Sequence, residues 1–371
     1  MIKEKIFLII GIVIILAIII GISFTYSGSE KQTLKVGALV PLTGSFSTLG
    51  ERIQNGLVLA KENIEKNDNI KIDLVFEDVC QGKDAVPAMN KMIQVDKIQM
   101  LGASFCLVGF VPIIPIAQEN KIIAFNTATN PDMVLNNPFV FSTNKAIKDD
   151  AQKQVNIAIT KLNTKKAALI YYTTPLGLDY GKYQRKYFED SNGTIVFDQQ
   201  VDLSATDFKT ELTKIKEQNP DVIFVTHLAA SLGNFLKQAR ELDITAYIIS
   251  NSEAEDPNVL NTAGLAAEGF IVSSAEPKEK TNYMLEFQKD YNARFGSLPD
   301  VLEANAYDAL HLEVYVYQKC SGVVECMQKE LHNVKDYPCV SGLITINQDG
   351  AANKPNMFKI VENGKFVEYK E

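Results

Sequence analysis

Residues Leu34 to Ile64 read LKVGALVPLTGSFSTLGERIQNGLVLAKENI. A short apolar strand, Leu34 to Val40, runs into Pro41 and a loop of small and hydroxyl residues: Thr43, Gly44, Ser45, Ser47, Thr48 and Gly50. A helix is expected next, because Ile53, Leu57, Ala60 and Ile64 recur at three- to four-residue intervals and so share one face. Strand, polar loop and helix in that order open an open α/β sheet. Small ligands bind such sheets in the loops beyond the strand C-termini. The loop offers hydroxyls and backbone N–H donors but no phosphate-cradling glycine pattern. A small polar molecule is therefore expected there rather than a nucleotide.

The βα rhythm continues outward. Strands are expected at Ile70–Phe76, Ile98–Ala103 and Ile122–Phe125, with helices at Ala85–Val95 and Val108–Glu119, the latter interrupted by Pro112 and Pro115. A second series starts near Asp149. It has strands at Ala167–Tyr171, Thr194–Phe197, Val222–Thr226 and Ala246–Ile249, and helices at Tyr180–Asp190, Phe208–Glu217 and Ser231–Leu242. Such alternation implies parallel sheets covered on both faces. The last third differs: helices at Lys280–Phe295, Leu302–Lys319 and Val323–Leu331, then short strands at Leu343–Ile346, Met357–Val361 and Phe366–Tyr369. No flexible linker separates the halves. Two lobes joined by short crossovers suit hinge closure.

At 371 residues the chain can hold two cores. Its net charge of −8, with no concentration of basic residues, argues against nucleic acid as a partner. Ile6 to Phe24 is an uncharged run of 19 residues preceded by Lys3 and Lys5, close to the ~20 that span a bilayer. Residues 1–29 are read as an N-terminal membrane anchor with its short end in the cytoplasm. A signal peptide cleaved near Ser27-Gly28-Ser29 is the rival reading. Either exports residues 30–371. Outside the cell, disulfides are the default for the five cysteines, Cys80, Cys106, Cys320, Cys326 and Cys339. The odd count leaves one free thiol or a cross-chain bond. No CxxC pair exists, and the only histidines are His227, His311 and His332, so no metal site or other cofactor is expected.

An ordered set of segments resembles the type I periplasmic binding proteins, in their branched-chain amino acid and amide branch. It begins with Gly37-Ala38-Leu39-Val40-Pro41-Leu42-Thr43-Gly44, Gly50 and Gly56, then Glu77-Asp78-Val79-Cys80 with Asp84-Ala85, and Gly102-Ala103 leading to Cys106. It continues with Pro115-Ile116-Ala117, Ala128-Thr129-Asn130-Pro131, Tyr180-Gly181 and Lys237-Gln238-Ala239-Arg240-Glu241-Leu242. It ends with Ala267-Glu268-Gly269, Ala306-Tyr307-Asp308-Ala309 and Ser341-Gly342. The resemblance implies two Rossmann-like lobes of parallel sheets flanked by helices, joined by three crossovers. One lobe would comprise residues 33–144 and 276–350, the other 145–275 and 351–371. It also implies a Cys80–Cys106 bridge. Cys320–Cys326 is added as a short-loop bridge that leaves Cys339 free, with Cys326–Cys339 open as the alternative.

Family ligands bind mainly the first lobe, and the second closes over them. Carried over by position, Thr127 and Thr129 match the first-lobe binding segment. Thr129 could offer a hydroxyl and N–H to a carboxylate or amide, or serve as a turn threonine before Pro131. Leu107 stands where the family has a serine, so that backbone groups there, with Val108, would have to bind. Tyr180 matches an aromatic at the cleft mouth; the alternative is a tyrosine packing on its own lobe. Leu228 replaces an aromatic contact, and His227 beside it is either a ligand contact or a solvated strand-end histidine. Ser252 or, one residue along, Glu253 falls at the acidic partner of an amino acid ammonium. Leu49 occupies a usual aromatic wall.

The implied function is an extracellular, membrane-tethered solute-binding protein that captures a small amino acid-like, amide or carboxylate ligand and delivers it to an ABC transporter permease. The leucines favour a solute less charged or more apolar than an amino acid. A ligand-sensing ectodomain with a separate signalling partner is the alternative. A monomer is expected. No enzyme is expected, since no reaction centre can be assembled from these residues.

Overall fold

The computed structural model describes residues 32–80, 82–127, 132–227, 229–277, 280–354 and 356–370. The strands, in chain order, are β1 (Gln32–Val40), β2 (Ile70–Asp78), β3 (Met100–Ser104), β4 (Ile123–Asn126) and β5 (Val140–Lys145). There follow β6 (Lys166–Tyr172), β7 (Thr194–Val201), β8 (Val222–Thr226), β9 (Tyr247–Ser250) and β10 (Ile271–Pro277). The last are β11 (Tyr337–Cys339), β12 (Gly342–Ile346), β13 (Ala351–Asn353), β14 (Asn356–Glu362) and β15 (Lys365–Glu368). The helices that position the site are α1 (Ser47–Asn67), α2 (Ile147–Thr160), α3 (Pro175–Asp190), α4 (Asn282–Phe295), α5 (Val301–Cys320) and α6 (Val324–His332).

These strands form two sheets. The first has the order β11-β12-β13-β5-β4-β3-β1-β2 and the second β15-β14-β10-β9-β8-β6-β7. Both contain the same parallel core, 2-1-3-4-5 in the first and 7-6-8-9-10 in the second. The repeated rhythm of the sequence is thus a repeated topology. The sheets are mixed rather than wholly parallel, because β14 and β15 run antiparallel in the second sheet and β11 and β12 in the first. The chain passes between the sheets at Lys145–Ile147, at Pro277–Asn282 and between Asn353 and Asn356. β13 still pairs with β5, so the last passage lies just beyond residue 353.

The opening segment folds for the reasons its pattern suggests. In β1, Leu34, Val36, Ala38 and Val40 enter one core, while Leu39 enters another on the opposite face. In α1, Ile53, Leu57, Ala60 and Ile64 are all buried. Two of its glycines permit close approach. A Cβ on Gly50 would lie 1.8 Å from the Pro41 carbonyl oxygen, and one on Gly56 2.4 Å from that of Glu303. Gly56 therefore lets α1 and α5 cross with their backbones almost touching. The expected helix from residue 108 breaks into Leu107–Phe110, a tight turn at Val111–Ile113 and Ile114–Glu119, because Pro112 and Pro115 have no N–H to donate. The helix expected from Tyr180 starts earlier, at Pro175, where the Thr174 hydroxyl caps it by accepting from the Gly177 N–H at 3.3 Å.

Cys80 and Cys106 are bridged, as are Cys320 and Cys326, and Cys339 is a buried free thiol. The first bridge ties the loop after β2 to the loop after β3 across a separation of 26 residues. Replacing Cys80 and Cys106 together by alanine is expected to cost about 3.5 kcal/mol through the freed unfolded chain. Urea denaturation would register this, and an unchanged midpoint would contradict it. No helix among the described residues is long and apolar enough to cross a membrane. The run from Ile6 to Phe24, where the anchor is expected, lies outside the described residues.

Candidate functional site

The loops beyond the C-terminal ends of both parallel cores face each other. Asp132, in the loop after β4, reaches α3 of the other lobe. Its N–H donates to the Asp179 carboxylate at 2.8 Å, and its own carboxylate accepts from the Tyr183 hydroxyl and pairs with Lys182. Ser252 and Glu255, beyond β9, share a cavity with Asp300 and Val340 of the first lobe. The cleft between the lobes is therefore walled by strand ends from both.

On the first-lobe wall, the Asp78 carboxylate at the end of β2 organises the loop after β1. It accepts from the N–H groups of Leu42 (2.7 Å) and Thr43 (3.3 Å) and from the Thr43 hydroxyl. The Thr43 hydroxyl bond, followed by the Leu42 N–H, pulls the Asp78 pKa below its usual value. Thr43 thus shapes the loop with its hydroxyl. Leu49 lies in the first turn of α1, half-buried. Thr127 is fully buried: its N–H and hydroxyl both donate to the Ser104 carbonyl, at 3.1 and 3.2 Å, and its carbonyl accepts from Asn305 Nδ2 at 3.4 Å. Its side chain fastens the ends of β3 and β4 together. Thr129 and Leu228 lie outside the described residues. Leu107 packs on the first lobe's core, whereas the Val108 side chain is 64% exposed. Their N–H groups begin a helix and are not needed by its own ladder.

On the second-lobe wall, Tyr180 is only 4% exposed and its hydroxyl donates to Asp150 on α2 at 2.7 Å. Asp150 also pairs with Lys145 at 2.6 Å and accepts from the Ser273 hydroxyl at 2.8 Å. Tyr180 therefore packs on its own lobe. His227 is 1% exposed, so it is not a solvated strand-end histidine. Its ring meets Tyr172 and Phe208 edge-on, with centroids 5.6 and 5.2 Å away. Burial lowers its pKa, against a smaller opposing pull from the Asp202 backbone, and neither ring nitrogen makes a formed hydrogen bond among the described residues. Glu253 accepts from the Tyr172 hydroxyl at 3.1 Å. The residue is exposed as a whole, while protein surrounds much of its carboxylate. That surrounding protein raises its pKa, opposed by hydrogen bonds from Tyr172 and Asn251. Ser252 begins the same short turn, half-buried.

Several contributors had no signal in the sequence. Tyr172, Asp150 and Asp132 act through partners 30 to 81 residues away. Lys354 at the last passage is another. Its ammonium donates to Asn305 Oδ1 at 2.8 Å and to the Ser341 hydroxyl, while its carbonyl accepts from Lys153 of α2 at 2.9 Å. Burial pushes its pKa down to about 8, although Asp308 pulls the other way. Asn305 thus joins the passage between lobes to the start of the Thr127 segment. Among the described residues no group of three or more His, Cys, Asp or Glu could hold a metal ion. The geometry suits enclosure of a small solute, with polar groups on both walls.

The sequence profile described as periplasmic binding protein matches residues 33–365. The chain belongs to that family. A "Leu/Ile/Val-binding protein homolog 3" from Brucella melitensis is 22% identical over 355 residues, covering 92% of this chain and 95% of the relative. The leucine binding protein LivK of Thermotoga maritima superposes with a TM-score of 0.75 at 24% identity, covering 91% of this chain and 98% of its own. An ABC transporter solute binding protein from R. palustris, in complex with benzoate, superposes with a TM-score of 0.72 at 21% identity, covering 91% and 95%. At these identities the likeness to solved structures shows a shared family fold. The two-lobed architecture expected from the ordered motifs is that fold.

Proposed function

We propose that this chain captures a small carboxylate- or amide-bearing solute between its lobes and delivers it to an ABC importer. The observation that carries this reading is the cleft itself, with strand-end loops on both walls and three passages of chain behind it. In this reading residues 33–144 with 276–350 form the first lobe, and 145–275 with 351–371 the second. Thr129 and the N–H groups of Leu107 and Val108 hold the solute's carboxylate or amide, and Glu253 and Ser252 approach it from the opposite wall. The run Ile6–Phe24 tethers the protein at the outer face of the membrane. The leucine and benzoate named for the two structural neighbours bracket the solute class: one is an amino acid, the other an aromatic acid without an ammonium. Leu49 and Leu107 favour a head group without an ammonium.

Calorimetry of residues 30–371 against leucine, benzoate and their primary amides is expected to show saturable one-site binding by at least one of them. At a hundred times Kd that solute should stabilise the protein by about 2.7 kcal/mol. Absence of both heat and thermal shift with all four, on folded protein, would overturn the reading.

A further inference from the structure

A cavity of about 360 Å³ lies beside the second passage between the lobes, within the ~300–1,000 Å³ range of small-molecule sites. Its only residue among those expected at the binding site is Ser252. Ser252 and Glu255 line it from the second lobe, Pro277 from the passage itself, and residues of α4 and the start of α5 from the first lobe. An occupant therefore touches both lobes. Pro277, Met284, Phe287, Val301 and Val340 give it an apolar body.

Two of its three described lining charges already have ionic partners. Glu255 is neutralised by an ion pair with buried Lys359, and it accepts from the Ser274 hydroxyl at 2.6 Å. Asp300 shares Arg52 with Glu303 and caps α5 by accepting from the Leu302 N–H at 2.9 Å. Lys280 stands exposed at the mouth, with no ion pair to another described residue. The side chains of Ser252 and Gln288, both residues half-buried, have no hydrogen bond to another described residue either. Among the described lining residues, Lys280, Ser252 and Gln288 are thus the polar side chains without a bonded partner, and they converge on a partly apolar chamber. That set complements a carboxylate.

We propose that this chamber receives a second, anionic group at the far end of the solute, with Lys280 as its cationic contact; this rests on the solute-binding reading above. Lys280 then determines specificity, favouring a solute with acidic groups at both ends over one with a single acid. The anion bridges Lys280 and Gln288 of the first lobe to Ser252 of the second, so its binding also draws the lobes together.

Two matched pairs of probes test this, each differing by one distal carboxylate: benzoate with terephthalate, and norvaline with glutamate. Affinities are measured by calorimetry on residues 30–371 and on the Lys280→Met and Lys280→Arg variants. In the pair whose head group fits, the distal carboxylate is expected to tighten binding about tenfold. Lys280→Met should erase that gain and leave the affinity for the simpler acid intact, which also shows that the variant is folded. Lys280→Arg should keep most of the gain. A simpler acid that binds as tightly as its partner, or a gain that survives Lys280→Met, overturns the chamber's role and leaves the solute-binding reading standing. Failure of all four probes to bind overturns the chamber's role, and the solute-binding reading falls with it only if leucine and the two amides fail as well.

Discussion

Glu313→Met is expected to make the protein about 2–4 kcal/mol more stable at neutral pH. Glu313 sits in the middle of α5, fully buried, and neither carboxylate oxygen has a hydrogen-bond partner among the described residues. It presses on β3 so closely that a Cβ at Gly102 would lie 2.9 Å from its Oε2. Burial alone drives its pKa well above the ordinary 4.5. The folded state therefore retains a proton that the unfolded chain releases. The contribution of Glu313 to stability is greatest below about pH 4.5 and declines as pH rises toward the folded value. Methionine has nearly the same volume and no polar atoms to strand. Glu313→Gln separates the two effects, since it keeps unpaired polar atoms but removes the pH slope. Urea denaturation from pH 5 to 8 reads both variants. A Glu313→Met protein less stable than the parent would sink the argument.

Arg52→Ala is expected to cost about 2–4 kcal/mol, somewhat less than the ~3–5 of a wholly buried pair because the Arg52 side chain keeps 29% exposure. Arg52 on α1 grips Glu303 with two bonds, Nε to Oε1 at 2.7 Å and the terminal nitrogen to Oε2 at 3.0 Å. Glu303 is 3% exposed and cannot be resolvated when its partner leaves. Its burial opposes ionisation, yet the Arg52 bonds outweigh it and bring its pKa down to about 2. The contribution is present above about pH 4.5 and is lost as pH falls toward 2, opposite in direction to Glu313. Glu303 also closes the capping box with Asp300 at the start of α5. The parent and Arg52→Ala proteins should converge in stability as the pH approaches 2. A loss under about 0.5 kcal/mol at pH 7 would mean the pair is screened like a surface contact.

The fold was legible where period and burial agree. The α1 stripe of Ile53, Leu57, Ala60 and Ile64 has one buried face, and its helix forms where that stripe predicts. β13, Ala-Ala-Asn, carries no strand preference and exists because β5 and β12 hold it on both sides. β5 carries little strand signal either, since after Val140 and Phe141 it reads Ser-Thr-Asn-Lys, a loop composition. α5 is buried nearly all round, so its charged residues, Glu303, Asp308 and Glu313, break no visible pattern. The site was legible as a set of loops more than as a set of contacts. Tyr180 lies on α3 and His227 just beyond β8, but Asp150 and Phe208 decide what their side chains meet, and neither is a sequence neighbour.

The reach of Asp132 across the cleft has a consequence for any affinity measured on this protein. Its bonds to Asp179, Lys182 and Tyr183 exist only while the lobes are together. They contribute nothing to a solute directly, yet they set how often the empty protein is already shut. Apparent affinity is the intrinsic affinity scaled by that fraction. A change at Asp132 should therefore weaken every solute by the same factor and leave the ranking among solutes untouched.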